Sequence, residues 1–91
     1  MTARRWLVRG RVQGVGYRYF TQREAAALAV TGWVRNMDDG RVEVFGQGSP
    51  SALDEFQGRL WLGPQWAEVR GVEVLEAALE VDNPTFKIQL S

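Results

Sequence analysis

Two periods of apolar patterning alternate along this chain, and their order restricts its fold more than any other feature. Strand side chains repeat a face about every two residues and helical ones about every 3.6. From Trp6 to Val12 the period is two: Trp6, Val8 and Val12 share one parity, Arg9 and Arg11 the other, and Gly10 allows a close approach. After Gln13-Gly14-Val15-Gly16, helix formers dominate from about Tyr17 to Val30, with Phe20, Ala27 and Leu28 on one face and Gly32 as the stop. Period two returns over Trp33–Met37 and Arg41–Phe45, joined by Asp38-Asp39-Gly40, a hairpin signal. Ser49-Pro50-Ser51 then opens a second helix carrying Leu53, Phe56 and Leu60, which Gly63-Pro64 ends. A strand over about Ala67–Leu75, irregular near Gly71, and an alternating Phe86, Ile88, Leu90 after the Asn83-Pro84 break complete the chain. The expected fold is α+β: a ferredoxin-like sandwich, β-α-β-β-α-β with a short C-terminal strand, two helices on one face of a mainly antiparallel sheet.

Ninety-one residues fit one domain, expected over residues 1–91, and 45% apolar residues with four Trp and four Phe supply one core. The chain has no Cys and no His, which removes disulfides, thiolate metal sites, cysteine nucleophiles, the commonest metal ligand and the commonest general base. The basic start lacks a signal-peptide apolar run and no segment is long enough to span a membrane, so the expectation is a cytoplasmic protein without membrane partners; lack of Cys fits an oxidising compartment equally well. Net charge is zero but uneven. Through Asn36 seven Arg face Glu24 alone, giving +6; from Met37 onward four basic residues face ten acidic ones, giving −6. A basic half favours an anionic ligand, although folding intermingles charges, and charge counting alone favours an ordinary mixed surface.

The chemistry concentrates where the first strand meets the first helix. Arg18 falls in the first helical turn, where the dipole disfavours a cation unless an anion lies between. Gly14 and Gly16 allow successive N–H groups to point inward, so Gln13, Gly14, Val15, Gly16, Tyr17 and Arg18 form an expected cradle for a phosphate-sized dianion. The segment lacks the Gly-Lys-Ser/Thr ending of a nucleotide-binding loop and the glycines and ribose-binding acid of a dinucleotide fingerprint. The second constellation is Gly32-Trp33-Val34-Arg35-Asn36. Asn36 shares parity with Val34, so it either points inward and orients a water molecule or caps the following turn, with neither reading favoured. Asp38 and Asp39, followed directly by Gly40, read as turn residues.

Gly10-Arg11-Val12-Gln13-Gly14-Val15-Gly16-Tyr17-Arg18, together with Gly32-Trp33-Val34-Arg35-Asn36 and Asp39-Gly40-Arg41-Val42-Glu43, closely resembles the two signature stretches of acylphosphatases. Length, element order and the closing Phe86-Lys87-Ile88 strand are also similar to that family. The resemblance implies a small cytoplasmic enzyme that hydrolyses the carboxyl–phosphate bond of acyl phosphates with no metal and no cofactor. It implies that Arg18 binds the phosphoryl group with the loop amides, where inorganic phosphate or a similar anion also sits, and that Asn36 holds the attacking water. A carboxylate leaves readily without protonation, which makes the absence of His intelligible. Tyr17 stands where many members have Phe, and Trp66 is bulkier than expected, so both bear on substrate access.

Two other readings compete. Ferredoxin-like folds also host RNA-binding modules, for which Trp6, Tyr17 and Trp33 are the candidate stacking aromatics. Each of the three reads equally as core, and zero net charge argues against nucleic acid. The other reading keeps the phosphate site in a carbamoyl phosphate handler, as in the acylphosphatase-like portion of larger hydrogenase-maturation proteins; the zinc-finger-like Cys clusters of those proteins are missing here. With no heptad seam or long apolar stripe, a monomer is expected.

Overall fold

A computed structural model describes residues 1–80 and 84–90. Its elements are β1 (Thr2–Arg11), α1 (Tyr17–Ala27), β2 (Thr31–Asn36), β3 (Val42–Gly48), α2 (Pro50–Leu62), β4 (Glu68–Glu76) and β5 (Phe86–Gln89). The sheet order is β4-β1-β3-β2-β5, with every pairing antiparallel except β2 with β5. This is the expected ferredoxin-like α+β arrangement, and the short last strand takes the edge beside β2.

The helix-covered face is built from the strand parities. Trp6, Val8, Val34, Val42 and Val44 are fully buried there, and α2 adds Leu53, Phe56 and Leu60. Edge-to-face contacts of Phe56 with Trp6 (5.3 Å) and with Phe86 (5.9 Å) tie α2 to β1 and β5. Ser49 caps α2 through its side chain, which accepts the Ala52 N–H at 3.1 Å, and Pro50 occupies the first helical position.

Several local expectations change. The first helix ends at Ala27, and the left-handed residue of its exit is Ala29 (φ 56), with Val30 N–H donating to Ala25 O and Ala29 N–H to Ala26 O. Gly32 lies inside β2, where a Cβ would run into Phe45 O; close strand approach, not a helix stop, requires that glycine. Ala27 is exposed and Ala25 is buried, because Ala27 sits at the edge of the apolar stripe, where the long Phe20 side chain still reaches the core and a methyl group does not. The irregularity expected near Gly71 is a register shift: Arg9 faces Gly71 and Gly10 faces Val69, leaving Arg70 as the extra residue.

The register also fixes what meets at one end of the sheet. Val8 and Asn36 both lie opposite Val42, so β1 and β2 run the same way on either side of β3. β5 is parallel to β2, with Gln89 beside Arg35. The C-terminal ends of β1, β2 and β5 therefore converge, and α1 starts from the same end.

Candidate active site

Between β1 and α1 the backbone turns through Gly14 (φ 75) and Gly16 (φ 81), both in the left-handed region. That alternation is what lets consecutive N–H groups face one concavity. Gly16 is the N-cap of α1, contributes no side-chain cap, and is followed by a first turn without an acid. The first helical bond is Phe20 N–H to Gly16 O at 3.0 Å, so the preceding N–H groups at the helix start are left over by helical geometry.

A cavity of about 310 Å³ opens on this turn, and its wall includes Gly14, Gly16, Tyr17, Arg18 and Asn36. Val12, Tyr19, Ile88 and Leu90 complete it. Arg18 donates from Nη1 to Gln89 O at 3.3 Å and enters no ion pair among the described residues. Arg4, Arg5, Arg23 and Arg35 are paired with acids, while Arg9, Arg11 and Arg18 enter no ion pair among the described residues, and of these three Arg18 lines the cavity.

Asn36 stands in one row with Val42 and Val8, both core residues on the helix-covered face, and row neighbours in a sheet share a face. Its carboxamide has no hydrogen-bond partner among the described residues. The turn is capped by Asp39, whose carboxylate accepts the Arg41 N–H at 3.0 Å and pairs with the Arg41 guanidinium at 2.8 Å. The hydrogen bond from the Arg41 side chain holds the Asp39 carboxyl below its ordinary range. Of the two readings of Asn36, the inward one matches the register.

The side chains of Gln13 and Val15 lie outside the cavity wall. The Gln13 side chain donates to Met37 O at 2.8 Å and to Arg41 O at 2.9 Å, clipping the loop to the β2–β3 turn, and Val15 packs against the core. Tyr17 is buried and its hydroxyl donates to Leu60 O in the last turn of α2 at 2.6 Å. Burial pushes the phenol above its ordinary value of 10.0. Trp66 is exposed and absent from the cavity wall. The aromatics considered for RNA stacking are otherwise engaged: Trp6 and Tyr17 are core, and Trp33 stacks on Phe45 at 5.8 Å. Sequence reasoning did not identify Val12, Tyr19, Ile88 and Leu90 as wall residues; for Ile88 and Leu90 the signal was the alternation of the last strand, which does not say which strand it joins.

Both the sequence and the fold have counterparts among known proteins. The acylphosphatase family model matches residues 4–88. An acylphosphatase of Solibacter usitatus is 62% identical over 77 residues, covering 85% of this chain and 80% of that one. The crystal structure of acylphosphatase from Bacillus subtilis superposes with a TM-score of 0.93 at 40% identity, covering 98% of this chain and 99% of that one. HypF of T. kodakarensis also matches, with a TM-score of 0.86 at 28% identity, but 98% of this chain covers only 12% of that protein. Sequence and fold agree over nearly the full length, and the chain belongs to the acylphosphatase family.

Proposed function

We propose that the protein hydrolyses acyl phosphates to a carboxylate and inorganic phosphate without a metal, through Arg18, Asn36 and the backbone N–H groups of the Gln13–Arg18 loop. The observation that carries this reading is that Arg18, Asn36, Gly14 and Gly16 line one cavity at a helix start without a side-chain cap. Family membership supports acyl phosphate hydrolysis as the reaction.

The phosphoryl group binds in the loop, its oxygens accepting N–H bonds and the Arg18 fork. Asn36 orients a water molecule whose oxygen forms a bond to phosphorus as the bond from phosphorus to the acyl oxygen breaks. The electron pair leaves with the carboxylate, and the water proton ends on a phosphate oxygen. A loose phosphoryl-transfer transition state needs positioning and charge stabilisation more than a strong base, and an amide supplies position only. Gln13 acts as a positioning residue by holding the turn that follows Asn36. The acting unit in this proposal is a cytoplasmic monomer.

The test is hydrolysis of benzoyl phosphate in the presence of a chelator, beside Arg18→Ala and Asn36→Ala variants verified as folded. Turnover that survives chelation and collapses in both variants is expected. A folded wild-type protein without turnover overturns the reading.

A further inference from the structure

The cavity that holds Arg18 is one stretch of a longer seam between α1 and β5. Arg18 donates to Gln89 O, and four residues along the helix Gln22 donates from Nε2 to Phe86 O at 3.1 Å. A second concavity, of about 780 Å³, lies farther along the same seam. Its wall includes Tyr19, Ala26, Ala29, Val30, Pro84 and Phe86, so Tyr19 belongs to both concavities. At a rise of about 1.5 Å per residue, Tyr19 and Ala26 stand about 10 Å apart along the helix axis. The charged group in this wall, Arg23, already lies over the Phe20 ring at 5.9 Å and pairs with Glu24 at 3.6 Å.

Resting on the proposed hydrolysis, we infer that this groove receives the acyl portion of the substrate, so that the protein favours acyl phosphates with extended apolar acyl groups. A phosphoryl group held at Arg18 leaves its acyl substituent beside Tyr19, the residue that lines both concavities. Small side chains at Ala26 in α1 and Ala29 just beyond its end leave room, and Val30, Pro84 and Phe86 give a tail apolar surface to cover. The occupant is thus a tail continuous with a phosphate already bound, which is what the shared wall at Tyr19 favours.

Two measurements test this independently. Binding of methyl-, butyl- and octylphosphonate is followed by calorimetry, and kcat/KM is followed for acetyl, butanoyl and octanoyl phosphate. Affinity and kcat/KM are expected to rise by about twofold to fourfold per added methylene, the upper figure being that of full burial. Ala26→Glu places a charge in the groove at an exposed helical position, and Ala26→Gln fills the same space without charge. Both are expected to flatten the chain-length dependence while leaving acetyl phosphate turnover unchanged. Equal affinity for all three phosphonates overturns the inference, as does a chain-length dependence that both variants leave intact. Hydrolysis without chain-length preference sinks the groove alone; chain-dependent phosphonate binding without hydrolysis sinks the catalytic reading alone.

Discussion

Arg18→Ala is expected to abolish most catalysis while leaving the fold as stable as before. Arg18 is the second residue of α1, whose first turn carries no acid and whose N-cap offers no side-chain cap. A cation at that end opposes the helix dipole by about 0.3–1 kcal/mol. Against this stands one exposed hydrogen bond to Gln89 O at 3.3 Å, long enough to contribute about 0.5 kcal/mol at most. The two nearly cancel, so urea unfolding of the variant without phosphate should fall within about 0.5 kcal/mol of wild type. Turnover should fall roughly 10²- to 10³-fold or more, the range for losing one charge-stabilising donor. Phosphate separates the effects further: at about a hundred times its Kd it stabilises wild type by about 2.7 kcal/mol, and the variant should gain far less. A phosphate-free variant destabilised by more than about 1.5 kcal/mol refutes the argument, because Arg18 would then be holding the fold. An equal phosphate-induced gain in both proteins refutes it from the other side.

Asn36→Ala is expected to lower kcat while calorimetry finds phosphate affinity nearly unchanged; equal weakening of phosphate binding would make Asn36 a support of the loop. Gln13→Ala removes hydrogen bonds to Met37 O and Arg41 O, so urea unfolding should show a loss of about 1–3 kcal/mol. If Gln13 positions Asn36, kcat also falls more than phosphate affinity does. Tyr17→Phe removes the donor to Leu60 O and should cost about 1–2 kcal/mol near neutral pH. The sign with pH follows from burial raising the Tyr17 phenol: its contribution is present below the unfolded value near pH 10 and is lost as pH rises toward the folded one. The stability difference between wild type and Tyr17→Phe should therefore shrink from about pH 9 to pH 11, and a constant difference in urea titrations contradicts this.

What could be read from the sequence was written locally. A positive φ is a demand on residue type, so Gly14 and Gly16 announce the loop, and an Arg in the first turn of a helix stands where the dipole alone does not favour a cation. The parity of Asn36 with Val34 left an inward position and a turn cap equally open, and only the row from Val8 through Val42 decides between them. Gly32 shows the limit of such reading: the left-handed position at the helix exit and a close strand approach both call for glycine, and here Ala29 takes the first and Gly32 the second.

The remaining features depend on distant pairings that no local pattern carries. The partners of Gln13 lie 24 and 28 residues away, and Ile88 and Leu90 reach the cavity only because β5 joins β2 in parallel at the edge. Chemistry and substrate range are thereby encoded differently. The proposed phosphate cradle needs a short stretch of backbone and one Arg, which a motif can state. The groove proposed for the acyl tail needs the spacing of α1 from β5 and small residues at Ala26 and Ala29, outside both motifs. Substitutions at those two positions should change which acyl groups fit while the reacting atoms keep the same neighbours, so chains sharing both signature stretches can differ in acyl preference.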